Sequence, residues 1–254
     1  MNLTVAVIST CLLVVVASCW AAEPTPEQAK AIAEIEKLGG KGGFDPHDPD
    51  KSVLWVDLEG AKVTDAGLEH LREYLKVLKQ GWMLILDGTK VTDEGLKHLE
   101  GFRQLQGLGL GGTKVTDEGL KHLEGLSQLQ ELGLGNTEVT DAGLEHLNGL
   151  SKLDHLGLEG TKVTDGWLKH LEGLPQLRVL NLDGTKVTDR GLEHLKGLTE
   201  LQSLNLKATQ VTDAGLVHLR GLTKLLTLGL DRTKVTDAGV TRLRQTLPKC
   251  GISR

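Results

Sequence analysis

Apolar residues return along this chain on a fixed schedule. From residue 105 the sequence reads LQGLGLGGTKVTDEGLKHLEGL, and its leucines follow two rhythms. Leu108 and Leu110 alternate with Gly107, Gly109 and Gly111, the period-two pattern of a strand with one buried face. Gly111-Gly112 predicts a turn. Val115 then points inward, and Thr116-Asp117 predicts a short helix with Asp117 as its N-cap. Leu120 and Leu123 share one face of that helix, and Leu105 and Leu126 complete a ring of core positions.

The unit recurs down the chain. VTDxGLxHL begins at Val63, Val91, Val115, Val139, Val163, Val187 and Val211, with a decayed copy at Val235. The first step is 28 residues and the later ones are 24. A period of about 20–29 residues carrying LxxLxL predicts a leucine-rich repeat solenoid of class α/β. Eight repeats stack, with parallel strands on the concave face and short helices on the convex face. One repeat cannot bury its leucines alone; stacking makes a continuous core, and each buried Leu is worth roughly 1.5–3 kcal/mol. The glycine column (Gly67, Gly95, Gly119, Gly143, Gly191, Gly215, Gly239) predicts close approach of a neighbouring helix, because Gly costs about 1 kcal/mol in a helix interior. Trp167 stands in that column in the fifth repeat and is expected to pack across the convex face, the alternative being that it marks a contact. Thr113 is placed to hydrogen-bond backbone groups that the turn leaves unpaired.

The ends differ. Residues 5–17 form an uncharged apolar run followed by small residues, which predicts a signal peptide over residues 1–21 with cleavage after Ala21. Two other fates fit the same residues: a lipobox at Val16-Ala17-Ser18-Cys19 that would leave a lipidated Cys19, or an uncleaved anchor. All three export the repeats, so the protein is expected to be secreted, periplasmic or at the cell surface. Residues 22–52 form an N-terminal capping helix and linker. Thr25-Pro26-Glu27-Gln28 predicts a capping box, Ile32, Ile35 and Leu38 an inward stripe, Gly39-Gly40 a stop, and residues 42–50 a loop. Residues 53–254 are the repeat domain. Four extra residues before Trp82 lengthen the first repeat's helix or its loop, and Leu243 and Leu247 belong to a C-terminal cap.

Composition narrows the function classes. The chain carries a net charge of −5 and no basic stripe, which argues against nucleic acid. No nucleophile elbow, P-loop, dinucleotide fingerprint or HExxH occurs, so no enzyme activity and no cofactor are expected. Cys250 is left alone after cleavage, which rules out a disulfide framework within the mature chain. The histidine column from His70 to His218 invites a metal reading. One ring per repeat is too widely spaced for it, since packed helices lie about 8–10 Å apart and zinc ligands meet within about 2.1 Å of the ion. The aspartate column is read as helix capping rather than calcium ligation, which needs about 6–8 converging oxygens. Glu69/Arg72, Lys97/Glu100, Lys121/Glu124, Lys169/Glu172 and Glu193/Lys196 are expected as i, i+3 pairs.

Residues that do not repeat are the better guide to binding. The outward triplets run Trp55/Asp57/Glu59, Met83/Ile85/Asp87, Gly107/Gly109/Gly111, Glu131/Gly133/Gly135, His155/Gly157/Glu159, Val179/Asn181/Asp183, Ser203/Asn205/Lys207 and Thr227/Gly229/Asp231. The middle of this face is glycine, and its N-terminal end carries an apolar cluster with acids beside it. Strands about 4.8 Å apart make the strip about 600 Å² in area, below the roughly 800 Å² per partner of a stable interface. The candidate protein-binding residues are therefore Trp55, Asp57, Glu59, Met83, Ile85 and Asp87. The alternative is that Trp55, Met83 and Ile85 only meet the entry segment.

The pattern LxxLxLxxTxVTDxGLxHLxxL resembles the cysteine-containing, ribonuclease-inhibitor-like branch of leucine-rich repeats, with Thr in place of Cys. Near-identical repeats behind a signal are similar to secreted bacterial leucine-rich repeat proteins. The resemblance implies an exported protein-interaction module with a protein partner and no nucleic acid. A membrane enters only through the N-terminal anchor or Cys19. A ubiquitin-ligase substrate receptor, or its bacterial mimic, and a structural envelope spacer are the alternatives.

Overall fold

The computed structural model describes residues 25–44, 53–76 and 82–254. The signal-peptide expectation falls outside them. Ten strands form one sheet in sequence order: β1 (Lys41–Phe44), β2 (Val53–Asp57), β3 (Trp82–Ile85), β4 (Leu105–Gly109), β5 (Glu131–Gly133), β6 (His155–Gly157), β7 (Val179–Asn181), β8 (Ser203–Asn205), β9 (Thr227–Gly229) and β10 (Gly251–Ser253). β1 runs antiparallel to β2, and the pairs from β2 to β10 are parallel. From β4 to β9 the register advances by one repeat per strand, Gly107 facing Glu131, then His155, Val179, Ser203 and Thr227. Leu108, Leu132, Leu156 and their equivalents are buried in one continuous core that runs the length of the solenoid.

Repeat length decides the convex side. A 24-residue repeat has room for one α-turn, such as Asp117–Leu120, continued by a 3₁₀ segment, Lys121–Leu123. The 28-residue first repeat instead builds a three-turn helix, Asp65–Leu75, so the extra residues lengthen the helix. After each strand from β2 to β9 the chain turns through a left-handed residue. That place holds Gly60, Gly88, Gly112, Gly160 and Gly184, but Asn136, Ala208 and Arg232 in the other repeats.

The threonine column behaves as its position implied. Thr113 Oγ1 is buried and donates to the Leu110 carbonyl at 2.6 Å, and Thr89, Thr137, Thr161, Thr185 and Thr209 repeat the bond. The aspartates are different. The N-cap is Thr116, whose Oγ1 accepts from the Glu118 N–H, and Asp117 follows it inside the helix. Asp117 reaches instead to the next repeat, where it accepts from the N–H and the hydroxyl of Thr140, both at 2.7 Å. The same bridge joins Asp65 to Thr92, Asp93 to Thr116, Asp141 to Thr164, Asp165 to Thr188, Asp189 to Thr212 and Asp213 to Thr236. Each threonine thus caps its own helix and ties it to the preceding repeat. A backbone N–H bonded to a charged acceptor is worth about 1.5–3 kcal/mol net, so this ladder is a main lateral tie of the convex side.

The glycine column follows from the ladder. A Cβ on Gly143 would sit 2.3 Å from Asp117 Oδ1 and 2.7 Å from its Cα, and Gly119, Gly191, Gly215 and Gly239 face the preceding aspartate in the same way. The close neighbour is the aspartate that opens the preceding repeat's helical turn, met through its carboxylate and, at Gly143, through its Cα as well. Gly67 has no aspartate before it, and its nearest heavy atom would be Val63 Cγ1 at 3.4 Å. Trp167 is buried, and its indole N–H donates to the Leu144 carbonyl at 3.2 Å, as the packing expectation required.

Both caps are more elaborate than their sequences implied. The capping box of the entry helix, Pro26–Lys37, is present: Thr25 Oγ1 accepts from the Gln28 N–H, and Gln28 Oε1 accepts from the Thr25 N–H. Its buried stripe is Gln28, Ala31 and Ile35, with Ile32 and Leu38 only partly covered. Residues 42–44 of the expected loop belong to the antiparallel edge strand, Lys41–Phe44. At the far end Leu243, Leu247 and Cys250 close the core, and β10 extends the sheet past the last repeat.

Candidate functional site

The concave face is built on glycine, but it is not bare. Met83 leans over Gly107, where an added Cβ would fall 2.9 Å from Met83 Cγ and Cε. Asp87 covers Gly109 and Gly111 in the same manner, and Glu159 covers Gly135. The glycines form a floor on which long side chains from the flanking strands lie. A side chain at Gly107 or Gly109 would push Met83 and Asp87 off that floor.

The six candidate residues divide by exposure. Trp55 and Met83 pair in register on β2 and β3, both half-buried. The indole of Trp55 lies against Gly43 of β1, whose Cβ would come within 2.4 Å of it, so part of that ring meets the entry segment. Ile85 is only 8% exposed and supports the patch more than it displays an anchor. Asp57 Oδ1 accepts from the Glu59 N–H at 2.9 Å, and Glu59 stands exposed at the rim.

Asp87 is the electrostatic centre of this end. Its Oδ1 accepts from the Gly111 N–H at 2.8 Å. Burial nevertheless pushes its carboxyl up to about 6 against that hydrogen bond, and the charges of Glu59 and Glu159 add to the rise. Farther along, burial also raises Glu131, opposed by His155 and reinforced by Asp154. His155 Nδ1 lies 2.5 Å from Asp154 Oδ1.

The two ends of the face differ in how their acids are matched. Lys207 Nζ lies 2.9 Å from Asp231 Oδ2, which also accepts from Ser253 Oγ at 2.7 Å. Those bonds hold Asp231 below the usual carboxylate range, the Ser253 bond first. Glu159 accepts from Asn181 Nδ2 at 3.0 Å. Among the described residues, no lysine or arginine pairs with Asp57, Glu59, Asp87 or Glu159. Among the described residues, the N-terminal half of the face thus holds negative charge with no cation paired to it, beside Met83 and Trp55.

The histidine column is used laterally. His122 Nδ1 bonds Glu100, and His146 Nδ1 lies 2.5 Å from Glu124, each glutamate belonging to the preceding repeat. Those glutamates are therefore not the partners of Lys97 and Lys121, which turn to Glu94 and Glu118. Glu193 and Lys196 pair as expected at 3.2 Å. Among the described residues no three His, Cys, Asp or Glu side chains gather where they could hold a metal ion. Within the same residues no helix is long and apolar enough to cross a membrane.

Comparison with known proteins agrees with this architecture. The sequence profile described as Leucine Rich repeat matches residues 174–196. No curated protein matches the chain in sequence. Among solved structures, an internalin (inlF) of Listeria monocytogenes is similar at 25% identity and a TM-score of 0.61, over 75% of this chain and 51% of that one. Internalin C2 of the same species is similar at 27% identity and 0.55, over 93% of this chain and 88% of that one. A leucine-rich repeat protein of Leptospira interrogans matches at 24% identity and 0.53, over 73% of this chain and 51% of that one. The chain thus spans about half the length of two of the three. With its repeating sequence, its ladder of parallel strands and these likenesses, the chain is a leucine-rich repeat protein.

Proposed function

We propose that the protein is an exported, non-enzymatic interaction module that receives a basic protein surface on the N-terminal half of its concave face. The supporting observation is the asymmetry of charge: among the described residues no lysine or arginine pairs with Asp57, Glu59 or Asp87, whereas Asp231 has Lys207. Met83 and the exposed part of Trp55 supply the apolar contact, Ile85 holds Met83's strand in place, and Asp87 and Glu59 face the partner's lysine or arginine. An arriving cation favours the ionised form of Asp87, so binding strengthens as pH rises through about 6.

Capture by the immobilised mature chain, followed by mass spectrometry, identifies the partner, and the same capture with Met83→Ala, Trp55→Ala and Asp87→Asn tests the site. Trp55→Ala and Met83→Ala should each weaken binding by more than about 1 kcal/mol. Asp87→Asn should remove the gain in affinity between about pH 5 and about pH 7. If all three variants bind as wild type while Lys207→Ala does not, the site lies elsewhere. Export rests on residues 5–17 and the small residues after them. N-terminal sequencing of protein from its native host should begin at Ala22, and an intact Met1 in a soluble cytosolic pool overturns that part.

A further inference from the structure

The concave sheet face is a trough rather than a plane. Each strand turns three positions outward, as Glu131, Gly133 and Gly135 do on β5, and the outer two lie four residues apart, about 13 Å. The middle position is low. Gly109, Gly133 and Gly157 are buried there, and Ile85 and Asn181, at the two ends of that run, are each 8% exposed. Met83 and Asp87 roof the strip at β4, but it opens at β5, where a Cβ added to Gly133 would meet nothing nearer than the Gly109 Cα at 3.8 Å. Glu131 and His155 stand half-buried on one side of the opening, and Glu159, leaning over Gly135, stands on the other. Both banks of the trough carry acid.

A basic protein surface can be flat, extended or helical, and the trough discriminates among the three. A flat patch rests on the banks and leaves Gly133 uncovered, which forfeits the contacts of the floor. An extended segment reaches the floor, but β2 to β9 are each paired on both edges, so the face has no free row of backbone groups to bond the segment's N–H and C=O. A helix satisfies its own backbone, and its diameter of about 10–12 Å matches the width between the banks. Its turns advance about 5.4 Å, close to the spacing of about 4.8 Å between strands, so successive turns meet successive strands.

We infer that the partner presents a basic α-helix that lies across the strands in this trough, close over Gly133. Its lysine or arginine side chains reach Glu131 on one bank and Asp87 and Glu159 on the other, and Met83 meets its apolar stripe. The inference rests on the function proposed above and adds the partner's shape to its charge.

The test uses the full chain and a fluorescein-labelled peptide of about 20 residues, alanine with a lysine on every helical turn, long enough to form a helix in water. Its control carries proline at the central alanine, which breaks the helix and keeps the charge. Fluorescence anisotropy at low ionic strength should show the helical peptide binding at least about tenfold tighter than the proline form. Gly133→Leu raises a side chain into the open floor and should weaken the helical peptide by about tenfold or more, with the thermal midpoint unchanged. Thr227→Leu, a similar addition at the exposed start of β9, should leave binding unchanged. No binding below about 1 mM, equal binding of the two peptides, or Gly133→Leu binding as wild type each overturns the inference. The captured partner separates the two levels: if Met83→Ala releases it and Gly133→Leu does not, the site stands and the helix falls.

Discussion

Asp213 on the convex side and Asp87 on the concave side each accept a backbone N–H from the following repeat, Thr236 and Gly111. The fold drives their carboxyls in opposite directions. The Thr236 N–H and hydroxyl, with Arg242 beside them, hold Asp213 below its ordinary value of 3.8, whereas burial pushes Asp87 up to about 6. The first aspartate is satisfied by its neighbours and the second is not. The same division runs through the whole molecule. The recurring columns are explained by the fold itself: Asp–Thr and Gly by contacts between adjacent repeats, and Thr–carbonyl by a bond within each turn. The outward column of the concave face changes from strand to strand, and among the described residues no lysine or arginine pairs with its N-terminal acids, although Asp87 accepts the Gly111 N–H.

If that division holds, the largest effects on stability come from the repeated columns. Gly143→Ala drives a methyl group into the backbone and carboxylate of Asp117 and should lower unfolding stability by about 1–3 kcal/mol. Gly67→Ala is the control, since nothing lies closer than 3.4 Å. There the better helix former should be neutral or gain up to about 1 kcal/mol. Urea unfolding followed by circular dichroism reads both, and equal losses at the two glycines would break the link between the glycine column and the ladder. Asp117→Ala removes two hydrogen bonds and strands the Thr140 N–H, for a loss of about 1–3 kcal/mol. A loss below a few tenths would show that the ladder is decorative.

A smaller effect probes the turn column. Ala208 sits at φ 52°, where the equivalent residue in five other repeats is glycine. Ala208→Gly should relieve left-handed strain and raise stability by about 0.5–1 kcal/mol, after the added freedom of the unfolded chain is set against it. Destabilisation on differential scanning calorimetry would mean that the Ala208 side chain contributes packing that outweighs its backbone.

Most of the architecture was legible in the sequence because a repeat states its own core many times over. The strand leucines, the turn threonines and the buried Trp167 follow from one 24-residue unit and the need to stack it. What local reading missed lies between repeats. Thr116-Asp117 gives no sign of which residue caps and which reaches across, since the partner of Asp117 is 23 residues away. His122 and Glu100 meet across repeats for the same reason, and the glycine at 107 gives no hint that Met83 lies over it. The candidate residues on β2 and β3 were visible as departures from the repeat, while the burial of Ile85 and the contact of Trp55 with Gly43 needed the structure.

The two aspartates give the most direct test. A carboxyl raised in the folded state binds protons better there, so Asp87 lowers stability as pH rises from about 4 to about 6 and keeps that penalty above it. A depressed carboxyl does the reverse: the contribution of Asp213 is full above its unfolded value and is lost as pH falls. Thermal unfolding of Asp87→Asn and Asp213→Asn should therefore be compared with wild type at about pH 7 and about pH 4. At the higher pH, Asp87→Asn should raise the midpoint and Asp213→Asn should lower it; at the lower pH the first difference should shrink, while the second should persist and be lost only as pH falls below the ordinary value of 3.8. A lowered midpoint for Asp87→Asn at neutral pH would make the concave carboxylate one more structural tie, and the separation of fold-holding columns from a binding face would fail.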